Sequence, residues 1–245
     1  MVWRSKSATR LLSMLLRRAV PVFALAATML TAAAVITTVA SAKPKIPIPA
    51  PTTDVPLATD HGTRTAVFAG GCFWGTQAVF ERVKGVTKTT VGYSGGTAKT
   101  ATYDQVTTET TGHAESVEVT YDPSQITYGT LLRIFFSVAH DPTQLNRQGN
   151  DVGISYRSAI FYSNDDQRRL ATAYIAQLND AHTFHGKIVT EVTPLKGFYR
   201  AEEYHQDYAL KNPGNPYIEV CDRPKIDDLK AEFPDLFVNY KGSHN

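Results

Sequence analysis

No charged residue lies between Ala19 and Ala42, and this uncharged run decides how much of the 245-residue chain is left to fold as a globular domain. It follows a basic head with Arg4, Lys6, Arg10, Arg17 and Arg18, and it ends in Ala40-Ser41-Ala42. A basic head, an apolar run and an Ala-x-Ala end make the pattern of a secretory signal peptide cleaved before Lys43. The run is also long enough to span a bilayer, so residues 1–42 read alternatively as a retained N-terminal anchor. Either reading puts the remainder outside the cytoplasm, periplasmic or otherwise extracytoplasmic, with membrane contact only where the segment is retained. Residues 43–62 are proline-dense and without period, the composition of an extended linker. Apolar periodicity begins at Thr63, which leaves residues 63–245 for one domain.

The basic head also distorts the charge balance. The whole chain is +2, but from Lys43 onward 20 Lys and Arg face 23 Asp and Glu. No basic face for nucleic acid survives. An apolar content of 42% excludes a disordered or collagen-like chain. Two cysteines are too few for a disulfide scaffold or an all-cysteine zinc site, so no metal is expected. Any cysteine chemistry here involves one thiol or one pair.

Within the domain, strands are predicted at Thr65–Ala69, Val86–Tyr93, Ser116–Tyr121, Arg157–Tyr162 and Lys187–Val192. The third of these alternates Val117, Val119 and Tyr121 against polar residues, which marks one buried face. Helices are predicted at Cys72–Val83, Tyr128–Ala139 and Asp165–Ala181, the last with two acids in its first turn. Residues 141–155 read as a long loop. From Pro213 the tail reads as irregular, with a short helical stretch near Asp227–Phe233. The pattern suggests an α/β or α+β sandwich, helices packed on a small mixed sheet.

Chemistry concentrates at Gly70-Gly71-Cys72-Phe73-Trp74-Gly75, where a strand runs through two glycines into a helix. Free N–H groups and the positive dipole end at that position favour a thiolate, so the Cys72 thiol is expected to ionise readily. The glycines are expected to let another molecule approach the sulfur. Alone, the segment also fits a buried structural cysteine. A second constellation, Gly112-His113-Ala114-Glu115, matters only if Glu115 is brought near Cys72, where burial would leave it a proton to donate. A third, Arg147 to Ser158, is a polar stretch suited to a binding loop. A thiol peroxidase or disulfide oxidoreductase would also use a reactive cysteine, but no Cys-x-x-Cys pair is present.

In this order the three constellations resemble the A-type peptide methionine sulfoxide reductases, over Thr63 to Phe237. Gly71-Cys72-Phe73-Trp74-Gly75 is the most specific match. Val91-Gly92-Tyr93-Ser94-Gly95-Gly96, the Tyr103 segment, His140-Asp141-Pro142-Thr143 and Glu203-Tyr204-His205-Gln206-Asp207-Tyr208 support it. Ile154-Ser155 stands before Tyr156 where the family more often shows Thr-Gln, a change that looks peripheral. The resemblance implies a ferredoxin-like α+β two-layer sandwich and reduction of the S epimer of methionine sulfoxide in oxidised proteins or peptides, with free methionine sulfoxide as a further candidate substrate. It implies Cys72 as the nucleophile that becomes a sulfenic acid and Glu115 as the proton donor. Tyr103 and Tyr156 then bond the sulfoxide oxygen, Phe73 and Trp74 hold the substrate methyl, and Asp151 organises the polar side. His205 and Asp207 would brace the pocket. It further implies no bound cofactor, and an external thiol reductant such as thioredoxin or a thioredoxin-like protein. Cys221 is the candidate resolving cysteine. Family resolving cysteines lie in glycine-rich tails, however, and Cys221 sits among Pro, Asp and Lys. Direct reduction of Cys72 by an external thiol is therefore the alternative.

Overall fold

The strand predicted at Thr65–Ala69 spans Arg64–Gly70 (β1) in the computed structural model, which describes residues 48–240 and 242. The signal peptide or anchor expected over residues 1–42 lies outside the described residues. Through Gly71 the chain turns into helix α1 (Phe73–Phe80), then β2 (Val86–Ser94), α2 (Tyr103–Val106) and β3 (Ala114–Tyr121). Helix α3 (Tyr128–Ile134) continues as a π-helical turn over Phe135–Ala139. The predicted loop 141–155 contains a small hairpin, β4 (Arg147–Gln148) and β5 (Asp151–Val152). Strand β6 (Ser158–Tyr162), helix α4 (Asp165–Asp180), strands β7 (Glu191–Pro194) and β8 (Phe198–Arg200), and helices α5 (Tyr208–Lys211) and α6 (Arg223–Glu232) complete the chain.

Six strands form one mixed sheet in the order β7-β6-β1-β3-β2-β8, antiparallel except for the parallel β6–β7 pair. Strand β3 lies between β1 and β2, and β1 lies between β3 and β6. Two split β-α-β units therefore interleave, the ferredoxin-like arrangement. The α+β expectation holds. The apolar positions of β1 and β3 explain the layering: Phe68 stacks between Phe80 of α1 and Phe135 at ring-centroid distances of 5.2 and 4.9 Å. Val117, Val119 and Tyr121 are buried as the alternation predicts. The alternation breaks at Glu115 and Ser116, which are also buried. That break is where the site lies.

Helix α4 starts where its cap dictates, with the Asn164 side chain accepting the Gln167 N–H at 2.9 Å. Three readings of the sequence need correction. The tail is helical: a π-helical turn at Ile218–Asp222 leads directly into α6. The short helix expected near Asp227–Phe233 is present as the end of α6, where Leu229 and Phe233 are buried against the body of the domain, and only the helical part before it went unread. The strand predicted at Lys187–Val192 pairs only from Glu191, because the Ile188 N–H is taken by the Asn179 side chain. Strand β8 pairs with β2 and had no alternation long enough to read.

The described part of the proline-dense stretch lies along α3 and α4. Ile48 is buried, the Tyr174 hydroxyl donates to Pro49 O at 2.6 Å, and Asp54 accepts the Gly129 N–H at 3.0 Å.

Candidate active site

Pairing of β1 with β3 sets Phe68 opposite Val117, so Glu115 falls beside the end of β1, where the chain turns into Cys72. Cys72 is the N-cap of α1, and Glu115 Oε2 accepts the Phe73 N–H at 3.0 Å. Both residues are buried, at 8% and 3% exposure. Burial foremost lifts the Glu115 carboxyl to about 8, and the nearby Asp151 and Glu109 carboxylates add to it against the Phe73 N–H. Glu115 thus holds its proton at neutral pH.

The expectation of an easily ionised Cys72 is overturned. Burial, then the Glu115 and Asp222 carboxyls, push the thiol well above its ordinary value. The Trp74 N–H and Lys225 pull the other way and lose. A second expectation fails with it. The space beside Gly71 belongs to the protein's own hairpin: a Cβ there would stand 2.6 Å from Gln148 Cβ, and φ is +85°. Gln148 is held in turn by both main-chain groups of Asp141, each at 3.1 Å.

Tyr103, Tyr156 and Tyr217 lie near Cys72. Burial raises each phenol's pKa, and the neighbouring Cys72 raises all three further. Tyr103 opens α2, whose first N–H donates to Glu202 at 2.9 Å. Tyr156 ends a 3-10 turn over Ile154–Tyr156. Ser155 is not peripheral to that turn: it is buried, and its N–H and hydroxyl donate to Glu109 at 2.9 and 2.6 Å. Asp151 accepts from the Tyr217 hydroxyl at 2.5 Å.

Phe73 is fully buried, while Trp74 is half-buried and lies flat on Tyr208 at 3.8 Å between centroids. The Trp74 indole N–H donates to His205 Nδ1 at 3.2 Å. That bond leaves the proton of a neutral His205 on Nε2, which is buried without a protein partner. The His205 ring packs on Phe73 and Tyr103 at 5.0 and 4.6 Å. Asp207 exchanges two hydrogen bonds with Gln77 of α1. Cys221 lies in the π-helical turn, half-buried and free, its thiol pushed up by burial. Among the described residues, no group of three or more His, Cys, Asp or Glu side chains is placed to hold a metal ion.

Residues 64–236 match the family model described as peptide methionine sulfoxide reductase. The chain belongs to that family. The reductase MsrA 2 of Mesorhizobium japonicum is 56% identical over 72% of this chain and 90% of its own length. MsrA 2 of Synechocystis is 52% identical over 77% and 89%. Among solved structures, methionine sulfoxide reductase A of Corynebacterium diphtheriae superposes with a TM-score of 0.56 at 39% identity, covering 64% of this chain and 78% of that one. Mxr1 of Saccharomyces cerevisiae in reduced form gives the same TM-score at 33% identity, covering 65% and 94%.

For a methionine sulfoxide reductase, the site contains side chains that the sequence did not single out. Tyr217 stands edge-on to Trp74 at 6.0 Å, and Asp222 and Lys225 reach the first turn of α1. Glu202 ties Tyr93 and Tyr103 together. All lie in the C-terminal segment, and only the Glu203-to-Tyr208 motif signalled that this segment returns to Cys72.

Proposed function

We propose that this reductase acts on the S epimer of methionine sulfoxide in proteins and peptides, with Cys72 as nucleophile and Glu115 as proton donor. The observation that carries the reading is a buried, protonated carboxyl beside a buried thiol, both at the start of α1. The Cys72 sulfur attacks the sulfoxide sulfur while Glu115 passes its proton to the oxygen and regains the one Cys72 loses. The oxygen passes from the substrate sulfur to the Cys72 sulfur, so that the substrate sulfur–oxygen bond and the transient sulfur–sulfur bond break, a Cys72 sulfur–oxygen bond forms, and methionine leaves with Cys72 as a sulfenic acid. Cysteine sulfur gives up two electrons and the sulfoxide sulfur gains them. Tyr103 and Tyr156 keep their protons at this depth and serve as donors to the oxygen. Phe73 and Trp74 hold the methyl group, and Asp151, bonded to Tyr217, fixes the polar wall. A sulfoxide gripped at oxygen, methyl and side chain fits in one hand only.

An external dithiol, thioredoxin or a thioredoxin-like protein, then returns Cys72 to the thiol, releasing water and a disulfide. Reduction of Cys72 by that external thiol directly is supported by the helical setting of Cys221, which lacks the freedom of a glycine-rich tail. We also propose export, on the strength of the basic head, the uncharged run and Ala40-Ser41-Ala42. The test is Cys72→Ser, assayed on resolved S and R sulfoxides. Loss of S-sulfoxide reduction in a folded variant is expected, and turnover by that variant refutes the mechanism.

A further inference from the structure

Gly75 closes the Gly-Cys-Phe-Trp-Gly run, yet it lies inside α1 with ordinary helical backbone, where glycine costs about 1 kcal/mol against alanine. An ion pair fills the place of its side chain. A Cβ at position 75 would stand 2.0 Å from Asp222 Oδ1 and 2.6 Å from Lys225 Nζ. Asp222 is completely buried, lies 3.3 Å from the Lys225 ammonium, and has one carboxylate oxygen that no donor reaches. Leaving that oxygen dry is costly, and although Asp222 is the N-cap residue of α6, its side chain makes no capping hydrogen bond there.

Cys72 is the N-cap of the same helix, and an N-cap side chain folds back over the second and third helical residues. Gly75 is the third. The positive end of α1, which favours a thiolate at Cys72, therefore already carries two acidic side chains. Glu115 takes the Phe73 N–H, and Asp222 lies against Gly75. Burial raises the Asp222 carboxyl above its ordinary value, and the Lys225 ammonium offsets part of that rise. We propose that Asp222 is a positioning residue of this site: its carboxylate, paired with Lys225, occupies the positive end of α1 and holds Cys72 as a thiol until a sulfoxide engages the sulfur. The proposal rests on the reading of Cys72 as nucleophile and deepens it. In a resting enzyme, reactivity toward oxidants and alkylating agents follows thiolate character. A thiol that ionises only as it meets the sulfoxide is spared such side reactions.

The other groups facing Cys72 are Glu115 from β3, Tyr103 from α2, Tyr156 from the 3-10 turn, and Tyr217 and Lys225 from the C-terminal segment. Asp222→Asn removes one negative charge, preserves shape, and leaves Lys225 uncompensated. The experiment follows iodoacetamide alkylation of full-length protein across pH, read at the Cys72 peptide by mass spectrometry so that Cys221 does not interfere. Alkylation near neutral pH is expected to be about tenfold faster in Asp222→Asn, the equivalent of one pKa unit, with the same limiting rate at high pH. Asp222→Ser, smaller and uncharged, is expected to shift the profile in the same direction. Profiles that superpose on the wild type overturn the proposal, as does equal acceleration at every pH, which would report an opened site. Sulfoxide turnover by the wild type is measured separately, so failure of the reductase reading is distinguishable.

Discussion

Replacing Glu115 by glutamine tests the site through stability as well as rate. Folded, this carboxyl holds its proton up to about pH 8, and its usual value is 4.5. Between those values the unfolded chain releases a proton that the folded chain keeps. The stability Glu115 contributes is thus fully present below 4.5 and lost as pH rises through about 8. Each pH unit in that window is worth about 1.4 kcal/mol, so from about pH 5 to about pH 8 the loss is about 3–4 kcal/mol. Glu115→Gln cannot ionise, and its amide oxygen can still accept the Phe73 N–H. Urea unfolding of wild type and variant at both pH values should show the wild type losing that amount relative to the variant, other titrating groups cancelling in the comparison. Parallel pH dependences would refute a buried, neutral Glu115. On turnover, Glu115→Gln should lose about 10²–10⁴-fold and Glu115→Ala more, because the amide still donates a hydrogen bond to the oxygen. Equal losses in the two variants would remove that role from this residue.

Gly71→Ala should cost about 2–4 kcal/mol, adding overpacking against Gln148 to an unfavourable φ of +85°. Gly149→Ala, at φ +59° with open space around it, should lose only about 1 kcal/mol, so equal losses in thermal or urea unfolding would deny the packing contribution. One equivalent of S-sulfoxide should consume one thiol and leave Cys221 free. A Cys72–Cys221 peptide in the digest would instead make Cys221 the resolving residue. Mass spectrometry of native protein should find an N-terminus at Lys43, and a chain beginning at Met1 in a membrane fraction would favour the anchor.

What the sequence determined by itself is what a few neighbouring residues decide. The alternation of Val117, Val119 and Tyr121 marked β3, because side chains on a strand repeat every two residues. Asp165 and Asp166 marked the first turn of α4, and the run from Gly71 to Gly75 located the candidate nucleophile at a helix start. The tertiary structure decided what those pieces do. A helix start alone predicts an easily ionised Cys72. The fold reverses this by burying the sulfur and bringing Glu115 and Asp222 to the same helix end from distant parts of the chain. Glu115 reads as an ordinary carboxylate until the β1–β3 register places it there without water. Tyr217, Asp222 and Lys225 sat in a segment too poor in apolar residues to announce a helix, and packing against the domain gave them one. Local patterns report backbone geometry, whereas ionisation depends on solvent exclusion and on charges that only long-range packing assembles.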